Sequence, residues 1–396
     1  MTLRELTIEE FKEHSGNYDS QSFLQTPEMA KLLEKRGYDV RYLGYRVENK
    51  LEIISLSYIM PVTGGFQMKI DSGPVHSNSK YLKQFYKALQ GYAKSNGVLE
   101  LIVEPYDDYQ LFTSSGVPSN QGNDNLIEDF TSSGYHHDGL TTGFTGKYLS
   151  WHYVKNLEGV TSETLLSSFS KTGRALVKKA MSAISPEPSS SNRRDYMDKS
   201  LDYYQDFYDS FEGKAEFVIA TLNFREYDHN LQIKAEALEN KLKLLDERFR
   251  ENADSPKYHR QRSEIINQLA SFETRRQEVQ SFIQKYDNQD VVLAGSLFVY
   301  SLKETVYFFS GSYTEFNKFY APAVLQEYVM QEALKRGSTF YNLLGIQGTF
   351  DGSDSILRFK QNFNGYIIRK MGTFNYYPSP FKYKGIQLLK KVLKRN

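Results

Sequence analysis

Between residues 226 and 289, side chains recur at alternating steps of four and three. Leu231, Ala235, Leu238, Leu242, Leu245 and Phe249 form the first run; Ile265, Leu269, Phe272, Arg276, Val279, Ile283 and Tyr286 form the second. Arg276 is the only polar member. That spacing makes a heptad seam on each of two helices. Glu251-Asn252-Ala253-Asp254-Ser255-Pro256 separates them, a stretch of turn formers closed by a proline that cannot continue a helix. The pattern predicts an antiparallel coiled-coil hairpin with helices of about 25 residues, roughly 35–40 Å long at 1.5 Å per residue. A narrow seam offers too little apolar surface to face a globular core, so the hairpin is expected to project as an arm. Strand-like runs at 217–222 and 291–300 flank it, and a third at 305–310 follows a turn. The arm is thus inserted between neighbouring strands of a sheet.

Around this insertion the chain repeats itself. In the first half, strands near 41–47, 51–61 and 65–70 precede an amphipathic helix over 79–95, then Asn96-Gly97 and a strand over 98–103. In the second half, the strands around the arm precede a helix over 323–335, Arg336-Gly337 and a strand over 339–343. A strand meander, a helix, a glycine stop and a strand are one unit used twice. The predicted class is mixed α/β, with two units of the size and order of a GNAT-type acyltransferase domain. The expected division is 1–145 for the first unit, 146–225 with 290–396 for the second, and 226–289 for the arm.

With 396 residues the chain can bury two cores, and it contains no cysteine. Disulfides, thiolate metal sites and thioester intermediates are therefore excluded. No histidine or carboxylate spacing suggests a metal, and His136-His137 are adjacent in a predicted strand, pointing to opposite sides. Neither 71–78 nor 311–317 carries the glycine-rich loop that holds the coenzyme A pyrophosphate at the start of a GNAT helix. No cofactor is expected. The net charge of +1 gives no global pull towards nucleic acid or membrane. The N-terminus reads as lacking a signal peptide and no run is long enough to span a bilayer, so a cytoplasmic location is expected.

The most distinctive stretch is Tyr341-Asn342-Leu343-Leu344-Gly345-Ile346-Gln347-Gly348, followed by Leu357-Arg358-Phe359-Lys360-Gln361-Asn362-Phe363. With Glu104-Pro105-Tyr106-Asp107-Asp108-Tyr109-Gln110 and the hairpin, it resembles the FemABX family of peptidoglycan aminoacyltransferases, most closely the branch with a coiled-coil arm. The resemblance covers nearly the whole chain. It implies transfer of an amino acid from aminoacyl-tRNA to a side-chain amine of the stem peptide on a lipid-linked peptidoglycan precursor, building the interpeptide bridge. The amine attacks the ester directly, so no covalent enzyme intermediate is needed.

Lys360 matches the family lysine credited with stabilising developing negative charge, with Phe359 beside it. Glu104 stands at the C-terminal end of a strand where many members have aspartate, placed to accept the amine proton or orient the amine. Lys35 and Arg36 match a precursor-phosphate lysine, and Arg194 lies near the family arginine that contacts the precursor. Tyr106 and Tyr307 are expected along the peptide channel. Two departures stand out: a short segment, 182–191, where relatives carry a strand and helix, and Lys370 where tyrosine is common. The short segment motivates an alternative, a non-catalytic homologue that binds precursor or tRNA.

Two basic segments escape the average charge. One is 171–179, with Lys171, Arg174, Lys178 and Lys179, suited to phosphates of tRNA or precursor. The other is 381–396, with Lys382, Lys384, Lys390, Lys391, Lys394 and Arg395 and no acid. Ile386, Leu389, Val392 and Leu393 are expected along one side of this helix, which suits peripheral contact with an anionic inner leaflet. The amino acid transferred and the oligomeric state are not legible.

Overall fold

The computed structural model describes all residues except 17, 19–20, 145–148, 183, 189–200 and 393–396. Two sheets carry the fold. The first orders its strands Thr2–Glu5, Asp39–Val47, Lys50–Val62, Gly65–Asp71, Val98–Glu104, Phe374–Tyr376 and His136–His137, with Val75–His76 alongside Lys50–Val62. The second runs Ser185–Pro188, Ala215–Asn223, Asp290–Tyr300, Glu304–Ser312, Phe340–Gly345, Trp151–Asn156, Tyr366–Lys370 and Asp108–Thr113. In each sheet one parallel pair follows the packed helix, Gly65–Asp71 with Val98–Glu104 and Glu304–Ser312 with Phe340–Gly345. The other pairings are antiparallel, so the expected strand–helix–strand unit occurs twice.

The sheets exchange strands. Asp108–Thr113 leaves the first half and pairs antiparallel with Tyr366–Lys370, while Phe374–Tyr376 crosses back to pair with Val98–Glu104. Phe374 is held there by stacking on Phe130 at 3.9 Å and on His137 at 4.5 Å. The segment after Met181, short where relatives are expected to carry a strand and helix, contains the edge strand Ser185–Pro188. Its two prolines are tolerable because an edge strand leaves one side of its backbone unpaired.

The hairpin consists of Phe224–Arg248 and Pro256–Tyr286. Asn223 caps the first helix, its side-chain oxygen accepting from the backbone of Arg225 and Glu226. All thirteen seam positions read from sequence are buried or half-buried, while Ile233 and Leu244, off the seam, are exposed. The polar member, Arg276, pairs across the seam with Asp228 at 3.0 Å. At the root, Phe224 stacks on Phe282 at 4.8 Å and meets Phe316 and Phe319, anchoring the hairpin in the second core.

Candidate active site

The short helix Ser355–Gln361 begins at Asp354, a buried residue with two tasks. One carboxylate oxygen accepts from the N–H groups of Ile356 and Leu357, and the other accepts from Gln347 N–H at 2.9 Å. The loop after the strand Phe340–Gly345 is thereby tied to the helix. Gly348 in that loop has φ +77°, and a Cβ there would fall 2.4 Å from Trp151 Nε1, so only glycine fits without displacing the indole.

This frame places Lys360, 4% exposed, beneath the strand end. Its Nζ donates to the carbonyls of Leu344 at 3.0 Å and Gly345 at 2.6 Å, where Leu344 adopts φ +56°. Burial drives the Lys360 pKa down to about 7, with Asp354 partly opposing the shift. An ammonium has three N–H donors; two meet these carbonyls, and the third has no partner among the described residues.

Asn342 organises the same turn. Its Oδ1 accepts from Leu344 N–H at 2.8 Å, and its Nδ2 donates to Glu304 Oε1 at 2.8 Å and towards His152 Nδ1 at 3.3 Å. The other ring nitrogen of His152 lies 3.0 Å from the Leu149 carbonyl, which fixes a neutral ring with its proton on Nε2. Burial first, then Lys370 and Lys360, hold the His152 pKa at about 3. Glu304, buried and pushed up in pKa, also accepts from the Tyr106 hydroxyl. Lys370 Nζ donates to the Tyr106 carbonyl at 2.8 Å and to Asp108 Oδ1 at 2.6 Å, lying 4.0 Å from the Tyr106 ring centroid. A polar chain therefore runs from Lys360 through the Leu344 backbone, Asn342 and Glu304 to Tyr106 in the first half.

Tyr106, Glu304, Asn342, Lys370, Tyr366 and Ile368 line a cavity of about 670 Å³ between the two halves. Its wall also carries Glu28, His76 and Asp107, each with a buried side-chain atom that has no hydrogen-bond partner among the described residues. Such atoms are costly unless a ligand or water reaches them.

Glu104 belongs to a second cluster, as the last residue of its strand, in register with Asp71. Burial and then the Asp71 charge raise its pKa to about 7. Thr373 donates to it at 3.4 Å, and Tyr58 donates to Asp71 at 2.7 Å. The neighbours of Glu104 are thus distinct from those of Lys360, one cluster at the end of each parallel strand pair.

The other expected site residues are dispersed. Lys35 pairs with Asp206 at 2.7 Å and Asp209 at 3.6 Å, and Arg36 lies 3.9 Å from the Tyr203 ring centroid. Both therefore face the helix Leu201–Ser210. Arg194 lies outside the described residues. Tyr307 stacks on Phe298 at 5.4 Å within the second core, and Phe359 packs edge-on against Phe363. Sequence reasoning assigned no role to Asn342, Glu304 or His152; only Asn342 lay in a quoted motif. Among the described residues, no group of three or more histidines or carboxylates converges as metal ligands would.

A family model described as the FemAB family matches residues 6–183 and 187–391. The chain belongs to the FemAB family. It is 24% identical over 420 residues to the Aminoacyltransferase FemA of Staphylococcus aureus (strain MW2), covering 100% of both chains. A crystal structure of FemX superposes with a TM-score of 0.71 at 18% identity, again covering 100% of each chain. The fold is the mixed α/β arrangement of two GNAT-like units.

Proposed function

We propose that this FemAB-family chain is an aminoacyltransferase of peptidoglycan bridge synthesis. It moves an amino acid from aminoacyl-tRNA to the side-chain amine of the stem peptide on a lipid-linked precursor. The observation that carries the reading is Lys360, a buried amine with its pKa near neutrality and one N–H without a partner among the described residues. The acceptor amine attacks the ester carbonyl carbon, forming the new C–N bond and a tetrahedral oxyanion. The ester C–O bond then breaks, its electron pair going to the ribose oxygen, which leaves as a hydroxyl by taking a proton from the Lys360 ammonium. The proton gained by Glu104 restores the balance through solvent. Lys360 offers its remaining N–H to the oxyanion or departing oxygen, in a site where water does not compete for it. Glu104, with its carboxyl balanced near neutrality, takes the proton the attacking nitrogen sheds.

The division into two units, 1–145 and 146–225 with 290–396, and a hairpin, 226–289, is part of the same proposal, with the exchanged strands joining the units. The cavity beside Tyr106 accommodates part of the acceptor peptide, whose amide groups reach the unpartnered atoms of Glu28, His76 and Asp107. Phe359 and Tyr307 are assigned to substrate binding, Tyr307 along the peptide channel, beside their ring contacts with Phe363 and Phe298. Lys35 and Arg36 act at the precursor phosphate only after exchanging Asp206, Asp209 and Tyr203 for it; Arg194 is assigned to the same group. The protein is read as working in the cytoplasm.

Purified protein, total charged tRNA and a lysine-containing precursor should yield tRNA-dependent addition of one amino acid, lost in Lys360→Met. Saturable binding of tRNA or precursor without turnover would instead identify a binding-only homologue.

A further inference from the structure

The helix Pro380–Val392 plays no part in the polar chain or the cavity. It sits on the first sheet by one narrow face. Tyr383 donates to Glu100 at 3.1 Å and packs on Tyr377, and Ile386 lies against the turn at Gly64, where an added Cβ would fall 2.2 Å from Ile386 Cδ1. Leu389, expected from sequence on the same side as Ile386, is instead 60% exposed. The Val392 side chain and Leu393 fall outside the described residues. Phe381 is 91% exposed and Leu388 is 68% exposed.

At 100° per residue, Phe381 and Leu388 project within about 20° of each other, on the side opposite Tyr383 and Ile386. Lys384 and Lys391 flank this ridge on one side, and Lys382 and Leu389 flank it on the other. Lys390 completes a helix with four cations and no acid. Leaving a phenylalanine and two leucines in water on a convex basic ridge has no folding benefit. It matches a helix lying in the plane of a bilayer, its apolar side chains among the acyl boundary and its lysines at headgroup phosphates. No described helix is long and apolar enough to cross a membrane.

We propose that Pro380–Val392 docks this protein peripherally on anionic phospholipid bilayers, Phe381 and Leu388 inserting while Lys384 and Lys391 hold the headgroups. The proposal stands apart from the transfer chemistry, because none of these residues touches Lys360, Glu104 or the cavity.

Flotation of the full chain with vesicles tests it. Protein should float with equal phosphatidylglycerol and phosphatidylcholine at low salt, stay unbound with phosphatidylcholine alone, and be released by raised salt. The double variant Phe381→Ser/Leu388→Ser should lower partitioning about tenfold or more. Lys384→Gln/Lys391→Gln should lower it about twentyfold, close to fivefold per lysine. Both variants should keep the wild-type circular dichroism and urea midpoint, since the altered side chains face solvent. Both should also transfer normally to a water-soluble acceptor peptide, so failure of docking and failure of the reaction read out separately. The idea is overturned if no vesicle binds, if both compositions bind equally, or if the variants float like wild type. It also falls if sedimentation shows that Phe381→Ser/Leu388→Ser abolishes a dimer without changing vesicle binding, which would make the ridge a self-association surface.

Discussion

Replacing Lys360 by methionine isolates the property on which the proposed chemistry depends. In the folded protein its pKa is lowered from 10.5 to about 7 by burial. Between those two values the unfolded chain binds more protons than the folded one, so wild-type stability rises with pH and falls as pH drops towards 7. The slope approaches 1.36 kcal/mol per pH unit in mid-window and vanishes below the folded value. Integrated from about pH 9 to about pH 6, the wild type should lose about 2.5 kcal/mol that Lys360→Met does not lose. Methionine also leaves the carbonyls of Leu344 and Gly345 without their donor, a pH-independent offset of about 1–3 kcal/mol for each carbonyl. The informative quantity is therefore the pH dependence of the difference, not its value at one pH. Urea denaturation of both proteins at half-unit steps gives it directly. A difference constant to within about 0.5 kcal/mol across the range would show that Lys360 keeps an ordinary pKa in the fold, and the reasoning would be wrong.

Further outcomes follow from the same geometry. Glu104, raised to about 7, must be ionised to accept a proton, while Lys360 must keep its proton to donate. Transfer should therefore follow a bell centred near pH 7, and Glu104→Gln should lower kcat/KM by about 10²–10³ and abolish the acid limb. Retention of that limb in the variant would assign it to another group. Asn342→Ala removes three hydrogen bonds, leaving Glu304 with the Tyr106 hydroxyl and taking the donor from His152 Nδ1, and costs about 2–4 kcal/mol in urea denaturation; a loss under about 0.5 kcal/mol would mean the chain of contacts is dispensable. Gly348→Ala forces a Cβ against the indole of Trp151, the only tryptophan, at a position with φ +77°. It should cost about 1–3 kcal/mol and shift intrinsic fluorescence, and unchanged emission and stability would mean the loop is not pinned there.

What could be read in advance was what local spacing encodes. The hairpin was legible because steps of three and four mark the positions that later prove less exposed, down to Arg276, whose polarity is met by Asp228 across the seam. The two strand–helix–strand units were legible from alternation and from the glycines at 97 and 337. Lys360 entered only through a motif; nothing in its own neighbourhood announces a buried amine, because burial is decided by the fold of the strand end at Leu344 and Gly345 over it. Glu304 was hidden in a turn-and-strand pattern that marks it as a surface carboxylate. Leu389 was misplaced because helical periodicity gives which residues share a side but not how wide the docked side is. The strand Ser185–Pro188 was hidden by its own two prolines, which argue against a strand except at a sheet edge.

The exchange of strands was invisible for a deeper reason, and it bears directly on the site. Pairing between distant segments is chosen by the competing surfaces available, which no local window contains. Asp108–Thr113 and Tyr366–Lys370 pair so that Lys370 is opposite Asp108, and the same two residues form an ion pair at 2.6 Å. Just upstream of that crossing lies Glu104, at the end of its strand; upstream on the other side lies the helix that carries Lys360. Both clusters are thus tethered to one covalent and hydrogen-bonded knot between the units. Sliding or rotating one unit against the other would break the strand register and expose Lys370, which is buried. Ordinary inter-domain contacts permit such motion by default. Here the strands that cross between the halves restrain the segments carrying Glu104 and Lys360 against such motion. The acceptor and donor must then come to the two groups, and binding energy from the distant parts of both substrates is what brings them there.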